Sequence, residues 1–189
     1  RQMCIRDRRR DGFMKTLKRT LGSILICLFM MANIAYAMPA ITEERIPENI
    51  EESVLLQNNE TTAIASINNS TRGIMLSAGL IEITNQKDGT LHISVDTYAH
   101  KVVDVIYQTV FLEVWDEKAE SWSKVDHWDF EKSKAEDPEL TSYHVGFTVT
   151  GCELNRYYRA RAMHLVEWGD EAEAKVTQTN GVLLTDHEI

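Results

Sequence analysis

The feature that most constrains the fold of this chain is a two-residue alternation of apolar and polar side chains, which begins near Gly73 and continues almost to the C-terminus. Residues Tyr143 to Thr150 (YHVGFTVT) show it most clearly, since every second residue is apolar. This period is typical of a β-strand with one buried face and one face in water. Residues 73 to 189 show no convincing helical period, so they predict an all-β domain.

The alternating segments and the turn residues between them predict an antiparallel β-sandwich of about seven strands. Asp88-Gly89 ends the first loop, where glycine supplies the positive φ angle that a tight reversal needs. Val102 to Trp115 is β-branched or aromatic on both faces, which indicates a central strand covered on both sides. The predicted strands are Leu80 to Ile83, Leu91 to Thr97, Val102 to Trp115, Trp122 to Phe130, Tyr143 to Thr150, Tyr157 to Trp168 and Glu171 to Thr179, with a short final run at Val182 to Leu184.

A more specific signal lies in Phe147 to Ala162 (FTVTGCELNRYYRARA). This stretch resembles the corner between strands E and F of fibronectin type III and related immunoglobulin-like sandwiches. The resemblance implies that Cys152 fills the apolar corner position as an inert, buried thiol. It also implies that Tyr158 is a structural tyrosine whose hydroxyl bonds to the backbone of the 151–156 loop.

The N-terminal part of the chain predicts export. Residues 14–37 have a basic start, an apolar stretch and an Ala-x-Ala site that ends at Ala37, which is the pattern of a cleaved secretory signal peptide. An uncleaved anchor is the alternative, but a membrane span needs about 20 apolar residues and this stretch is shorter. Residues 1–13 match no part of a signal peptide and indicate non-native upstream translation. The predicted location is therefore extracellular.

The remaining 152 residues, from Met38 on, are strongly acidic. Eight of the 20 basic residues and only two of the 29 acidic residues precede Met38, so 12 basic and 27 acidic residues remain, a formal charge of −15. This charge disfavours nucleic acids and anionic membrane surfaces as partners. Residues 38–72, rich in Glu, Asn and Thr, predict a flexible acidic tail, and residues 73–189 the sandwich domain. Only Cys152 remains among the cysteines, which excludes an intramolecular disulfide in the exported form.

The order of signal peptide, polar tail and β-rich domain has a second resemblance. Gly73 to Leu184 is similar to families of small secreted proteins of unknown function from Gram-positive gut bacteria. The resemblance implies no activity, because a sandwich fold serves many unrelated functions.

The sequence contains no recognisable catalytic, phosphate-binding or metal-binding motif, so we predict no catalytic residue, metal or cofactor. The six histidines are scattered, with no close pair at ligand spacing, and predict surface or edge positions. The acidic clusters predict solvated loops rather than calcium sites. These clusters are Asp116-Glu117 with Glu120, Glu136-Asp137 with Glu139, and Asp170-Glu171 with Glu173.

Trp115 and Trp122 are the candidate ligand-binding residues. If the strands around 116–121 form a hairpin, one register places Trp115 opposite Trp122 and Glu113 opposite Lys124, with Leu112 and Val125 facing the core. Two indoles side by side on an outer face are suited to stacking on a sugar or anchoring a protein partner. They are equally suited to stapling the two strands together, and the sequence leaves both alternatives open.

These observations predict an exported, non-enzymatic β-sandwich module that recognises an unknown protein or glycan through its surface. The alternative is a small secreted, glycan-active hydrolase that uses acidic residues. Two carboxylates can hydrolyse a glycosidic bond only at a suitable distance from each other, and a sequence does not reveal that distance.

Overall fold

A computed structural model describes residues 52–67 and 73–188, which form nine β-strands. The residues predicted to be non-native upstream translation (1–13), the predicted signal peptide (14–37) and its predicted cleavage site at Ala37 lie outside the described residues. No helix in the described ranges is long and apolar enough to cross a membrane. The strands are β1 (Thr62–Ser66), β2 (Leu76–Asn85), β3 (Leu91–Ala99), β4 (Val105–Asp116), β5 (Ser121–Ser133), β6 (Ser142–Val149), β7 (Tyr157–Trp168), β8 (Glu171–Gln178) and β9 (Val182–Leu183).

The strands form two antiparallel sheets that pack together in a sandwich-like arrangement. The four-stranded sheet has the order β1-β2-β3-β6, and the five-stranded sheet has the order β5-β4-β7-β8, with β9 paired to β7. Strands β2 to β9 correspond to the eight segments predicted from the alternation, and β1 makes nine strands where about seven were predicted. The predicted bounds differ most for β2, which extends four residues before and two residues beyond Leu80 to Ile83. The predicted all-β architecture of two facing sheets is therefore confirmed.

The alternation determines which side chains fill the space between the sheets. In β3, Leu91, Ile93 and Val95 are fully buried, while the residues between them are partly exposed. Strand β4 differs, because Ile106 to Glu113 are buried without interruption. Its even-numbered residues face the core and its odd-numbered residues the outer side of the sheet, so this strand is covered on both sides, as its composition predicts.

Two apolar clusters fill the interior, and polar side chains lie between them. In β4, Gln108 lies between Ile106 of one cluster and Val110 of the other, and in β7 His164 is fully buried in the same intermediate position. The prediction that every histidine lies at the surface or an edge is wrong for His164. Its position on the inner face of a strand, two residues from apolar neighbours on either side, buries it.

Hydrogen bonds compensate for the burial of His164. Its Nδ1 lies 2.8 Å from the Thr97 hydroxyl, and its Nε2 lies 2.8 Å from the Thr177 hydroxyl. Gln108 donates from Nε2 to the same Thr97 hydroxyl over 2.9 Å. Gly79 makes space for the ring, because a β-carbon at that position would lie 2.7 Å from Cδ2 of His164.

The prediction of a flexible tail over residues 38–72 is wrong for part of that segment. Strand β1 (Thr62–Ser66) pairs with β2 along its full length. Further upstream, the backbone N–H of Leu56 donates to the carbonyl of Gly181, and the N–H of Gly181 donates to the carbonyl of Val54. The chain is ordered here because both stretches complete the hydrogen bonds of sheet edges that would otherwise lack partners.

The predicted β4–β5 register is correct near the turn and wrong beyond it. Trp115 pairs with Trp122 and Glu113 with Lys124, as predicted, but Leu112 lies opposite Asp126 instead of Val125. A β-bulge inserts Val125 as an extra residue, and its side chain is 48 % exposed rather than turned to the core. Bulges of this kind add twist and are common on edge strands such as β5.

Candidate recognition surface

Trp115 and Trp122 lie side by side on the outer face of the five-stranded sheet. Their ring centroids are 5.3 Å apart and the ring planes are inclined by 60°. Both side chains are partly exposed. Their outward direction follows from strand phase, because Leu112 and Val114 on the same strand face the core. We call these two residues the indole pair.

The Trp122 side chain reaches from β5 across β4 to a residue of β7. The guanidinium carbon of Arg159 lies 4.5 Å from the centroid of the Trp122 ring, which is a cation–π distance. A β-carbon on Gly181 would lie 2.7 Å from Cη2 of Trp122, so only glycine permits the indole to lie this close to the backbone. The ring therefore rests on a fixed surface that Arg159 and Gly181 provide.

An ion cluster beside the indole pair links β4 to β7. Arg159 donates from Nε to Oε2 of Glu113 over 2.6 Å, and Nη1 of Arg161 lies 3.3 Å from Oε1 of the same carboxylate. The three side chains are only 10 % to 18 % exposed. Burial lowers the pKa of Arg159, and its like-charged neighbour Arg161 lowers it further, whereas Glu113 raises it.

Phe111 extends the same layer by one row of side chains. Lys124 Nζ lies 5.4 Å and the Arg161 guanidinium carbon 5.6 Å from the centroid of its ring, and His127 stacks beside it with a centroid separation of 6.0 Å. Phe111 is only 5 % exposed although it lies on the outer face. Large side chains therefore form a further layer over this sheet. The layer, here called the outer layer, consists of Phe111, Glu113, Trp115, Trp122, Arg159 and Arg161.

The electrostatics of the outer layer differ from those of the chain as a whole. Arg159 and Arg161 share the single carboxylate of Glu113, in a protein whose formal net charge is −9. Nε of Arg161 is buried and has no hydrogen-bond partner in the described part of the chain. The surface thus combines two partly exposed indoles with adjacent cations, which suits contact with a flat, partly apolar group.

The two residues predicted to be structural lie at the corner between β6 and β7. The Tyr158 ring is 3 % exposed, and its hydroxyl donates to the carbonyl of Glu153 over 3.1 Å. Burial raises the pKa of its phenol. Cys152 packs against the larger apolar cluster, and burial together with the nearby Asp126 raises the pKa of its thiol. Cys152 is only half-buried, because it lies at the rim of the sandwich rather than in its centre.

Each acidic cluster has at least one carboxylate that is hydrogen-bonded within the fold. Asp116 accepts the backbone N–H groups of Lys118 and Ala119, which closes the β4–β5 turn. Glu173 accepts the N–H groups of Met75 and Leu76 over 2.9 and 3.0 Å and so fixes the start of β2. Within residues 52–67 and 73–188, no group of three or more His, Cys, Asp or Glu side chains is placed to hold a metal ion.

Two arrangements in the structure were not predicted from the sequence. The ion cluster of Glu113, Arg159 and Arg161 was missed because charged residues in a strand are usually solvated. The sequence pattern that could have revealed it is the alternation in β7, where both arginines alternate with buried alanines and so share the outer face of the strand. The second arrangement is a pair of histidines, His92 and His144, which the structure brings together over Gly146 on the four-stranded sheet.

The fold defines a two-sheet antiparallel β protein. The chain belongs to the family described as Family of unknown function (DUF6147), whose sequence profile matches residues 42–182. The match spans both sheets and the segment around Val54 that was predicted to be a tail. No curated protein matches the chain.

Proposed function

We propose that this protein is an exported, non-enzymatic recognition module that binds a protein or glycan through the indole pair. The observation that carries the proposal is the outward direction of Trp115 and Trp122, with the Trp122 ring resting on Arg159 and Gly181. A partly exposed aromatic side chain that its neighbours already hold in place loses little conformational entropy when a ligand stacks on it. Sugar rings and flat side chains are the ligand groups with matching shape.

We also propose that the sandwich is of the fibronectin type III-like or immunoglobulin-like kind. The strand order supports this assignment, because two hairpin-connected strands from one sheet are followed by a hairpin in the other, and β6 then returns to pair with β3. The Tyr158 hydroxyl, bonded to the Glu153 carbonyl five residues upstream, supports it as well. In that fold the loops and outer faces, rather than the core, carry recognition.

Export is part of the proposal and rests on residues 14–37. Cleavage after Ala37 would release a protein that begins at Met38. Intact-mass measurement of protein collected outside the producing cells tests this point directly. A mass that includes the apolar stretch Leu21 to Ala32 would contradict it.

The recognition role is tested with the double variant Trp115→Ala/Trp122→Ala. A glycan array and a panel of candidate proteins are first screened with the unchanged protein, without a purification tag that contains aromatic residues. If the indole pair is the binding surface, the double variant loses binding by at least about tenfold, since buried aromatic anchors contribute about 2 kcal/mol or more. Tyr98→Ala is the matched control, because Tyr98 is an exposed aromatic residue on the other sheet.

Thermal unfolding of the same variants separates recognition from a purely structural role. If the pair only staples β4 to β5, the double variant loses about 0.5 to 1.5 kcal/mol beyond the effect of lost burial and leaves ligand binding unchanged. Retained binding in the double variant therefore contradicts the proposal, whatever its melting temperature. Chemical turnover of a bound glycan by the unchanged protein would contradict the non-enzymatic part.

A further inference from the structure

The outer face of the four-stranded sheet carries a pair of histidines. A β-carbon built on Gly146 would lie 3.6 Å from Nε2 of His144 and 3.6 Å from Nε2 of His92. The two imidazoles therefore border the same small space above the glycine, one from β6 and one from β3. Because Gly146 has no side chain, this space stays open between the rings.

Strand register explains why residues so distant in sequence meet here. In the β3–β6 pairing, His92 lies opposite Thr148, Ser94 opposite Gly146, and Asp96 opposite His144. The histidines are thus on the same face, one on each side of the row formed by Ser94 and Gly146. Each side chain needs to reach only one row along the sheet to arrive at the space above the glycine, a distance that long side chains span.

Asp96 fixes the tautomer of His144. The Nδ1 atom of His144 lies 2.9 Å from Oδ1 of Asp96, and a carboxylate only accepts, so Nδ1 carries the hydrogen. In the neutral ring the lone pair is then on Nε2, the atom that points toward the space above Gly146. A carboxylate that holds the far nitrogen of an imidazole in this way is a recurrent arrangement behind metal-ligating histidines.

We propose that His92 and His144 form a two-histidine site for a divalent transition metal ion, with Asp96 as the residue that positions His144. Imidazole nitrogens are suitable ligands for Zn²⁺, Cu²⁺ and Ni²⁺. A site with two protein ligands leaves the other coordination positions to water or to a ligand atom from another molecule. The site lies on the sheet opposite the indole pair and does not depend on the proposed recognition function.

The exposure of the site is consistent with reversible binding from solution. The side chain of His144 is 64 % exposed and that of Asp96 is 28 % exposed. His92 is partly exposed and alternates with the buried residues Leu91 and Ile93, which fix its backbone. The strands thus hold the two rings in register without covering the space between them.

The test is calorimetric titration of the protein, prepared without a polyhistidine tag, with ZnCl₂ and with NiCl₂. We expect about one metal ion per chain, bound through both imidazoles. His92→Ala and His144→Ala should each abolish this binding, and Asp96→Asn should weaken it about tenfold or more, as loss of a supporting carboxylate typically does. His187→Ala is the matched control, since His187 is also paired with a carboxylate, Asp186, over 2.8 Å.

A further variant keeps both histidines and alters only the space between them. Gly146→Val places a branched side chain where a β-carbon already makes ordinary contacts with both rings, so the ion is excluded while the fold is retained. Loss of binding in this variant, with a melting temperature in the absence of metal that is no lower than that of the unchanged protein, supports the site. Unchanged binding in His92→Ala, His144→Ala or Gly146→Val, or its loss in His187→Ala, overturns the proposal.

Discussion

The outer faces of the two sheets differ in how far they are covered by their own side chains. On the five-stranded sheet, Phe111 and Glu113 are 5 % and 8 % exposed, since bulky neighbours cover them. On the four-stranded sheet, outward residues such as Gly146 and His144 remain exposed. The alternation therefore determines which residues point outward, but the size of those residues determines whether the outer face becomes another packed layer.

The difference has consequences for how each face contributes to the protein. In the outer layer, an ion cluster and ring contacts connect β4, β5 and β7, so most of its charged groups are partners of one another. On the four-stranded sheet, the outward side chains make exposed contacts, such as that between His144 and Asp96 over 2.9 Å. Changes to these side chains should therefore disturb the core less than changes to the outer layer.

The largest expected effect comes from removing the shared carboxylate. Glu113→Ala leaves two mostly buried arginines without their acceptor, which should lower the free energy of unfolding by about 3 to 5 kcal/mol. Asp96→Ala removes a carboxylate from the exposed His144 pair on the other face and should cost at most about 1 kcal/mol. Urea unfolding of both variants measures the contrast. If the two variants lost similar free energies of unfolding, the outer faces of the two sheets would not differ in packing.

Acid should destabilise the interior through His164. Burial lowers its pKa from 6.5 to about 3. The unfolded chain takes up this proton near pH 6.5, whereas the folded chain does not until about pH 3. The contribution of the neutral imidazole to the free energy of unfolding is therefore fully present above about pH 6.5 and is lost as the pH falls toward about 3. The expected slope from this residue is about 1.4 kcal/mol per pH unit.

Urea unfolding at a series of pH values checks this slope, with His164→Gln as the variant that lacks the titrating group. The unchanged protein should lose more stability than the variant between about pH 6 and pH 4. His144→Gln, on the exposed face of the other sheet, is the control and should follow the unchanged protein more closely. Parallel curves for the unchanged protein and His164→Gln would contradict a neutral, buried imidazole.

The smallest of the three effects compares the two sides of β7 at neighbouring residues. Tyr158→Phe removes a buried hydroxyl and leaves the Glu153 carbonyl without its donor, which should cost about 1 kcal/mol or more. The Tyr157 hydroxyl bonds to Asn58 over 2.9 Å at an exposed position, so Tyr157→Phe should cost less. Thermal melts of the two variants give the comparison. Equal losses of stability in Tyr158→Phe and Tyr157→Phe would contradict the assignment of Tyr158 to the inner side and Tyr157 to the outer side of β7.

Much of the fold was predictable because buried strands carry strong alternation. Strand β1 (TAIAS) was missed because the residues that face inward, Ala63 and Ala65, are small, while the larger Ile64 is 62 % exposed. The bulge at Val125 was not predictable for a related reason. Val125 is apolar, and in a regular strand its position in the alternation would direct it to the core. No neighbouring residue indicates that the β4–β5 register shifts there.

The candidate sites were predictable only where partners lie close in sequence. Trp115 and Trp122 flank one turn, so a single register brings them together. His92 and His144 meet because the chain passes from β5 in one sheet to β6 in the other, where β6 pairs with β3. The spacing of the two histidines in the sequence does not indicate this pairing. The same holds for Glu113 and the two arginines of β7, whose pairing depends on which strands are neighbours.

The short segment from Val54 to Leu56 has a consequence for solubility. Its bonds to Gly181 cover backbone groups at the junction of β8 and β9, and β1 covers the edge of β2. An uncovered sheet edge is a template on which a second chain adds its own strand. A protein shortened to begin at Gly73, where the strong alternation starts, would expose both edges at once. We therefore expect such a fragment to form concentration-dependent aggregates, so that these N-terminal residues keep the molecule apart from its own copies.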